Sequence, residues 1–235
     1  MKDTAYYDQE SSKYSKKRYP EFEITYTQFL FKRRLALLLN ALQETFLQSS
    51  SVDLLEIGCA DGYVLSTIKN LPIRIRSLIG IDISPAMIEV ASQTATANKR
   101  FYVRGTHPMK KKAFHGVVEV GVLNLTDLST DLLYVKDRLK TDGYFFCSIA
   151  ASTSLLTKLK PESATDYHHF LTYEEYEREI RKYFFIAKSI PYGLFIPYLW
   201  RFPRVARIVQ PSVETLLKTI IPNLFHEKLY ILKMK

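Results

Sequence analysis

The sequence predicts an α/β protein in which a mostly parallel sheet is covered by helices on both faces. Short apolar runs of strand length alternate along the chain with segments of helical periodicity, which is typical of βαβ units. Of the 235 residues, 47% are hydrophobic and 24% are charged, as in an ordinary globular domain. Since no shift of composition marks a linker, we interpret residues 1–235 as a single domain.

The first 48 residues predict an N-terminal arm followed by a helix. Residues 1–20 are polar with interspersed tyrosines, which favours an extended arm or a short helix. From residue 22 to residue 47 the apolar side chains recur at helical spacing, and three serines follow. We therefore expect one long helix to precede the first strand.

Five buried strands are predicted before residue 150, over 52–58, 77–82, 101–103, 117–123 and 144–149. Helices are expected after Gly62, from Pro85 with Ser84 as its cap, and over 131–139. A turn is predicted at 141–143, immediately before the fifth strand. The alternation predicts a parallel arrangement of these strands.

The last third of the chain departs from this regular alternation. Thr172 and Glu175 form a capping box that opens a helix to about residue 183. Two further strands are predicted over 184–190 and 228–233. Residues 193–226 are expected to be an insertion between these two strands, partly helical and punctuated by prolines.

The net charge is +9, which favours an anionic partner without choosing among nucleic acid, a membrane surface and an acidic substrate. The two cysteines, Cys59 and Cys147, are too few for a disulfide framework, and their spacing suits no zinc site. No metal site is therefore expected. The N-terminus has no apolar signal core and no run is long enough to span a bilayer, so a cytoplasmic location is predicted.

A glycine-containing turn follows the first predicted strand. Gly58 and Gly62 would let the backbone bend sharply and approach a ligand closely. Ligands of open parallel sheets bind beyond the carboxyl ends of the strands, where this turn lies. Asp82 ends the second strand 20 residues after Gly62, and an acid there can accept both hydroxyls of an adenosine ribose.

The turn does not fit a dinucleotide. The dinucleotide pattern needs a glycine where this chain has Ala60, and Glu56 and Asp61 would repel a pyrophosphate. The same two acids favour a cation. S-adenosylmethionine has a ribose diol, a sulfonium and an ammonium but no phosphate, and it suits both the glycines and the acids.

Residues 55–62 (LEIGCADG) and 79–88 (IGIDISPAMI) together resemble the class I S-adenosylmethionine-dependent methyltransferases. The N-terminal tyrosines and Arg18 resemble the arm of the small-molecule members of that family. The resemblance implies a three-layer, Rossmann-like, doubly wound sheet of seven strands, mostly parallel with the last antiparallel. It also implies an enzyme in which the acceptor displaces the sulfonium methyl group in line.

The resemblance further implies which residues hold the cofactor, S-adenosylmethionine. Glu56 and Gly58 would lie beside its methionine part, and Asp82 would hold the ribose. The remaining residues implied at the site would form the cradle (Cys59, Ala60, Asp61 and Gly62), pack on the adenine (Ile83 and Met87) or close over the methionine end (Tyr7, Tyr14 and Arg18).

The chain departs from the family pattern at three positions, one of which is the start of the fourth strand, where relatives usually have Phe-Asp and this chain has Phe114-His115. Relatives usually carry an acid after the third strand, where this chain has Gly105, and an acid with a histidine after the fourth, where it has Asn124. His168 and His169 follow the fifth strand and are candidate catalytic bases, because histidine titrates near neutral pH. The alternative for both is solvated loop histidines. A non-catalytic S-adenosylmethionine-binding scaffold is accordingly kept as an alternative function.

No zinc spacing or RNA-binding signature points to nucleic acid, so the acceptor is expected to be a small molecule, a glycan intermediate or a lipid. Residues 193–226 combine arginines with aromatic side chains. They predict either a helical cap that buries its aromatic face or an interfacial element in peripheral contact with an anionic membrane. A basic membrane-associated or nucleic-acid-binding module without methyltransferase activity is the other alternative.

Overall fold

The computed structural model describes residues 4–160 and 170–235, and its centre is a seven-stranded sheet. The strands are β1 (Val52–Ile57), β2 (Ile75–Asp82), β3 (Lys99–Val103), β4 (Phe114–Val120), β5 (Leu139–Ala150), β6 (Phe184–Tyr192) and β7 (Glu227–Met234). Their spatial order is β3-β2-β1-β4-β5-β7-β6; β1 to β5 pair in parallel, and β7 runs antiparallel to both of its neighbours, β5 and β6. The predicted mostly parallel sheet of seven strands with the last antiparallel is confirmed.

Helices flank the sheet on both faces in the described part of the chain. They are α1 (Thr4–Glu10), α2 (Tyr14–Arg18), α3 (Tyr26–Phe46), α4 (Tyr63–Ile68), α5 (Pro85–Ser92), α6 (Leu128–Arg138), α7 (Leu155–Leu159), α8 (Tyr173–Ile180) and α9 (Pro203–Leu217). None of them is long and apolar enough to cross a membrane. The predicted capping box is present, since the Thr172 N–H donates to the Glu175 carboxylate at 2.8 Å and the Glu175 N–H donates to the Thr172 hydroxyl at 3.2 Å.

Two apolar clusters form the core, one on each face of the sheet. The first joins the sheet to α3, α4 and α5, and the second joins it to α6 and α8. Neighbouring strand residues alternate between them, so that Leu54 lies in the first cluster and Leu55 in the second. This burial on both sides explains the continuous apolar runs of the central strands.

The predicted turn at 141–143 is wrong. These residues belong to β5, which begins at Leu139 and bulges against β4. Along β4 the pairing advances two residues, from Phe114 to Gly116, while along β5 it advances five, from Leu139 to Tyr144. The irregular pairing accommodates Gly143. Residues that are typical of a turn can therefore form a bulge within a strand.

Strand β4 begins three residues earlier than predicted and ends at Val120. Its polar second residue, His115, is held in the sheet because its Nδ1 accepts the Asp53 N–H at 3.0 Å. The residues predicted to complete the strand instead include a 3₁₀ turn, Leu123–Leu125. Helix α3 begins at Tyr26, later than predicted, because the Thr25 hydroxyl caps it.

The carboxyl ends of β1 to β5 lie along one edge of the sheet, here called the carboxyl edge. Tyr192 and Ala150 both pair with Glu227, so β6 ends and β7 begins at this same edge. Residues 193–226 therefore leave the sheet and return to it there. Phe195 and Trp200 of this segment pack on α3, with the Trp200 ring 5.4 Å from the Phe29 ring.

Candidate active site

The turn after β1 lies at the centre of the carboxyl edge. The N–H groups of Gly58 and Cys59 both donate to the Ile81 carbonyl oxygen, at 2.8 and 3.1 Å, and join the ends of β1 and β2. Gly58 and Gly62 have φ values of +72° and +78°, which side chains rarely adopt. A Cβ at position 58 would lie 2.3 Å from Cγ2 of Val122. This turn therefore requires glycine for both its conformation and its packing.

Asp82 connects the turn to the next helix. Its Oδ2 accepts the Ala60 N–H at 2.9 Å and its Oδ1 accepts the Ser84 N–H at 3.0 Å. The Ser84 hydroxyl in turn caps α5 by accepting the Met87 N–H at 3.1 Å. Burial raises the pKa of Asp82, while these backbone donors act against the shift. The carboxyl group is thus held at the end of β2, next to the turn.

Glu56, near the end of β1, is buried, and its Oε2 has no hydrogen-bond partner among the described residues. Burial raises the pKa of Glu56 well above its ordinary value, and Asp82 and Asp61 raise it further. Burial therefore favours the neutral form of this carboxyl group. A cation beside these three acids would lower that pKa, so the cluster favours a positively charged group.

The N-terminal arm lies directly on these acids. The backbone N–H and the hydroxyl of Ser15 donate to the two carboxylate oxygens of Asp61, at 3.0 and 2.6 Å. The Ser84 hydroxyl donates to Oδ1 of Asp8 at 2.5 Å. Sequence reasoning missed Ser15 and Asp8, because no local pattern connects an arm residue with a turn 46 positions later.

The arm also brings the predicted residues Tyr7, Tyr14 and Arg18 to the carboxyl edge. The Arg18 guanidinium lies 3.5 Å from the Tyr14 ring centroid, and its Nη1 donates to the Tyr14 carbonyl oxygen at 3.2 Å. Its Nε is buried without a partner among the described residues. Burial, with the nearby Tyr14 and Asp82, raises the pKa of Tyr7 to about 12. The arm thus places protonated phenols and one guanidinium over the acids.

Arg34 of α3 is a second buried guanidinium here, and sequence reasoning missed it. Its Nε donates to Glu227 at 2.9 Å, its Nη2 pairs with the other carboxylate oxygen, and the Tyr192 hydroxyl donates to the same carboxylate. A Cβ on Gly121 would lie 2.5 Å from Nη1 of Arg34, so the guanidinium lies against the end of β4. A signal existed, because Arg34 follows Leu30 by four residues on the apolar stripe of α3.

Three other predicted residues differ in their access to the edge. Cys59 is buried against Gly80, and burial raises the pKa of its thiol well above the ordinary value, which suits a packing residue. Ile83 is 38% exposed beside Asp82, whereas Met87 is 0% exposed. The Met87 side chain therefore does not open onto the edge.

The candidate bases His168 and His169 lie outside the described residues. Another histidine, His226, precedes β7 at the carboxyl edge, with its Nδ1 3.3 Å from the Ser154 hydroxyl. Within 4–160 and 170–235, no group of three or more histidine, cysteine, aspartate and glutamate side chains is arranged to hold a metal ion.

Residues 26–191 of the chain match the sequence profile of a protein family described as methyltransferase domain. The chain belongs to this methyltransferase family. The match extends over 166 of the 235 residues and includes both motifs that carried the resemblance. It confirms the family that residues 55–62 and 79–88 indicated.

Solved methyltransferase structures have the same fold. A chain from the complex between the Trm112 methyltransferase activator of Haloferax volcanii and a methyltransferase is 17% identical, with a TM-score of 0.66 over 98% of this chain and 94% of that chain. Magnesium protoporphyrin IX methyltransferase from Synechocystis with bound S-adenosylhomocysteine is 12% identical, with a TM-score of 0.66 over 99% and 98%. Geranyl diphosphate methyltransferase in complex with S-adenosylmethionine is 14% identical, with a TM-score of 0.66 over 89% and 87%. No curated protein matches the sequence.

In this methyltransferase Asn124, at one of the departing positions, has a structural role. The Asn124 amide donates to the Ala150 carbonyl oxygen at 2.8 Å and to the Tyr176 hydroxyl at 2.7 Å, and its Oδ1 accepts the Ala150 N–H at 3.0 Å. Asn124 thus ties the segment after β4 to the end of β5. Gly105 lies in an open turn with a φ of +92° and no atom within 4 Å of an added Cβ.

A cavity of about 30 Å³ remains between the arm and the glycine turn, lined by Arg18, Arg34, Glu56 and Asp61 among others. Pockets that enclose drug-sized ligands measure about 300–1,000 Å³. The arm therefore has to shift outward before a nucleoside-sized group can enter. The lining nonetheless combines the carboxyl groups of Glu56 and Asp61 with the guanidiniums of Arg18 and Arg34, which suits the cationic and anionic groups of a methionine moiety.

Proposed function

We propose that this methyltransferase transfers the methyl group of S-adenosylmethionine to a small-molecule, glycan-intermediate or lipid acceptor. The observation that carries the proposal is the convergence of Glu56, Asp61 and Asp82 on a glycine turn at the carboxyl edge. These groups suit a ligand with a ribose diol and positive charge and without phosphate. When bound, the cofactor supplies a methyl group on a cationic sulfur that the acceptor displaces in line.

The roles proposed for the turn follow from its contacts. Asp82 accepts the ribose hydroxyls with the lone pairs that Ala60 and Ser84 leave free. Glu56 becomes ionised beside the cationic part of the cofactor, because a positive charge lowers the pKa that burial raises. Gly58 keeps side-chain atoms away from the ligand, and Cys59, Ala60, Asp61 and Gly62 complete the cradle.

The arm is proposed to close the methionine end. Arg18 presents a buried Nε–H that has no acceptor within residues 4–160 and 170–235, which suits the cofactor carboxylate. Tyr7 and Tyr14 lie beside it as neutral phenols. Ile83 is the exposed side chain that packs on the adenine, while Met87 supports it from inside α5.

Positioning supplies most of the catalysis in this proposal, because the methyl group is already activated. A base is needed only where the acceptor must lose a proton. His168 and His169 remain the candidates from the sequence, and His226 is added because it lies at the carboxyl edge beside Ser154.

A non-catalytic scaffold that binds S-adenosylmethionine is the second candidate function. The observation that favours it is Asn124, whose amide is engaged in three hydrogen bonds and is not available for proton transfer. Such a protein would bind the cofactor as tightly as the enzyme but form no S-adenosylhomocysteine.

Calorimetry with S-adenosylhomocysteine tests the cofactor. We expect Asp82→Ala to bind at least tenfold more weakly, because hydrogen bonds to a charged acceptor contribute about 1.5–3 kcal/mol each. Asp53→Ala, which removes a buried acid paired with Arg76 at the amino end of β1, is the matched control. Tighter binding of NADH than of S-adenosylhomocysteine by the wild type contradicts the proposal.

Turnover with radiolabelled S-adenosylmethionine then separates the enzyme from the scaffold. After unreacted S-adenosylmethionine is removed, label in a water-soluble product formed from a cell extract indicates a small-molecule or glycan acceptor, and label in the organic phase indicates a lipid. Tight cofactor binding without label in either phase supports the scaffold.

A further inference from the structure

The outer face of α9 and its flanking turns is a surface that the proposed methyl transfer does not use. Phe202, Ile208 and Ile220 are 66%, 76% and 72% exposed. Of the sixteen large apolar side chains exposed in the described residues, seven lie between positions 198 and 220 and are here called the apolar face: Tyr198, Phe202, Val205, Ile208, Val209, Leu216 and Ile220. Such a concentration marks an interaction site.

The orientation of α9 is set by polar contacts on its inner side. Ala206, Gln210 and Glu214 follow one another at spacings of four and are buried. The Gln210 amide donates to the Leu194 carbonyl oxygen at 2.8 Å and accepts the Trp200 indole N–H at 2.6 Å, and Glu214 accepts the Leu194 N–H at 2.9 Å. The helix therefore turns its polar side towards the protein and its apolar side outward, the reverse of an ordinary surface helix.

The N-terminal region extends this apolar surface. Phe22 and Ile24 are both 62% exposed. Arg207 of α9 donates to the Glu23 carbonyl oxygen at 2.8 Å and lies 5.6 Å from the Phe22 ring, so the two segments are in contact. The exposed apolar surface thus continues from α9 onto the residues before α3.

Within segment 193–226 the exposed charge beside the apolar face is positive, whereas the N-terminal extension also carries the exposed Glu21. Arg201, Arg204 and Lys218 are exposed, and Arg201 lies 4.7 Å from the Tyr198 ring. Segment 193–226 contains one acidic residue, Glu214, and its side chain is buried against the protein. Exposed cations therefore border apolar side chains without an exposed acid in the same segment.

We propose that the apolar face binds the surface of an anionic lipid bilayer, with α9 lying in the plane of the interface. Apolar side chains enter the boundary between headgroups and acyl chains, and the arginines contact lipid phosphates from its borders. A second copy of this chain is disfavoured, because a twofold contact would place the same cations against each other. The segment leaves and returns at the carboxyl edge, so a bound lipid surface would lie on the side of the site.

Vesicle co-sedimentation tests the proposal, with phosphatidylcholine vesicles that do or do not contain phosphatidylglycerol. We expect binding to the anionic vesicles only, weaker at high salt. The double variant Ile208→Glu, Ile220→Glu should lose binding, and Leu133→Glu with Phe185→Glu, exposed apolar positions elsewhere, should retain it.

The double variant Arg201→Ala, Arg204→Ala tests the contribution of the cations, and it should bind anionic vesicles about 30-fold more weakly at low salt. Its control is the double variant Arg74→Ala, Lys110→Ala, which removes two exposed positive charges elsewhere on the surface and should bind the vesicles as the wild type does.

The proposal is overturned if the wild type stays in the supernatant with anionic vesicles, or if both glutamate pairs lose binding equally. It is also overturned if ultracentrifugation shows a dimer that Ile208→Glu with Ile220→Glu dissociates, since a second copy then covers the face. Calorimetry with S-adenosylhomocysteine on the same variant should be unchanged. Failure of the membrane proposal is therefore distinguishable from failure of the proposed methyl transfer.

Discussion

The N-terminal arm and segment 193–226 both lie at the carboxyl edge of the sheet, and they use opposite chemistry. The arm reaches the site with polar groups, since Ser15 donates two hydrogen bonds to Asp61 and Asp8 accepts one from Ser84. In segment 193–226, by contrast, the buried polar side chains of Gln210 and Glu214 form hydrogen bonds with the backbone of Leu194 within the same segment, and the exposed side chains of the apolar face contact solvent.

This difference shows how each segment can act. The carboxylates of Asp61 and Asp8 are only part-buried, so their hydrogen bonds can be exchanged for bonds to water and the arm can open and close over a ligand. Water cannot replace apolar contacts in this way. An exposed apolar face is therefore stabilised only by a partner that removes it from water. The arm is thus suited to a cofactor and the segment to a surface.

Gly58→Val gives the largest expected effect, because it alters the turn that the arm covers. The new side chain would collide with Val122 and would need a φ of +72°. We expect the affinity for S-adenosylhomocysteine to fall below detection in calorimetry. Gly105→Ala, also at positive φ but with open space around it, should bind normally. A Gly58→Val protein that folds and binds normally would contradict the close approach assigned to this turn.

Glu214→Ala tests whether inner polar contacts hold the segment. Its loss leaves the buried Leu194 N–H without an acceptor, so the free energy of unfolding should fall by about 1–3 kcal/mol in urea titrations. The control is Glu44→Ala, which removes an exposed ion pair with Lys188 and should change the free energy of unfolding by less than about 1 kcal/mol. Equal effects of the two variants would mean that α9 is held by its apolar contacts instead.

Ser15→Ala tests the arm. The variant loses the hydroxyl bond to Asp61 and keeps the backbone N–H bond, so the open state should become more populated. Association of S-adenosylhomocysteine in stopped-flow measurements should accelerate by up to about tenfold. Ser12→Ala, at an exposed arm position, is the control. A slower association in Ser15→Ala would mean that the closed arm assists entry.

The smallest expected effect is the release of protons from Glu56 when S-adenosylhomocysteine or the cofactor binds. The raised pKa of Glu56 favours the protonated carboxyl group in the free protein, and a cationic ligand favours the carboxylate, so binding should be accompanied by proton release. Calorimetry in buffers of different ionisation enthalpy measures the release, and Glu56→Gln should abolish it. Proton uptake by the wild type would contradict this assignment.

The same carboxyl group makes stability depend on pH. At low pH it is protonated in both the folded and the unfolded chain. As the pH rises above the unfolded pKa, the unfolded chain loses this proton first, so the wild type should lose stability relative to Glu56→Gln. Thermal unfolding across that range measures the difference.

Local signals predicted the elements around the glycine turn correctly. β1 and β2 are short, mainly apolar runs. Ser84 caps α5 and Pro85 is its first residue, the two positions that the sequence assigned to them. The bulge at 141–143 was mistaken for a turn, since glycine beside aspartate indicates either and strand pairing decides between them.

The pattern of residues by itself determined the sheet, the family and the acids at the carboxyl edge, because each depends on neighbours within a few positions. Only the tertiary structure decided the contacts between distant residues. Arg34 pairs with Glu227 across 193 positions and Ser15 with Asp61 across 46, and no periodicity encodes either. Periodicity also shows that α9 has two faces without showing which one turns inward. Gln210 and Glu214 turn inward because their hydrogen bonds with Leu194 can form only there, and the apolar face is left to the outside.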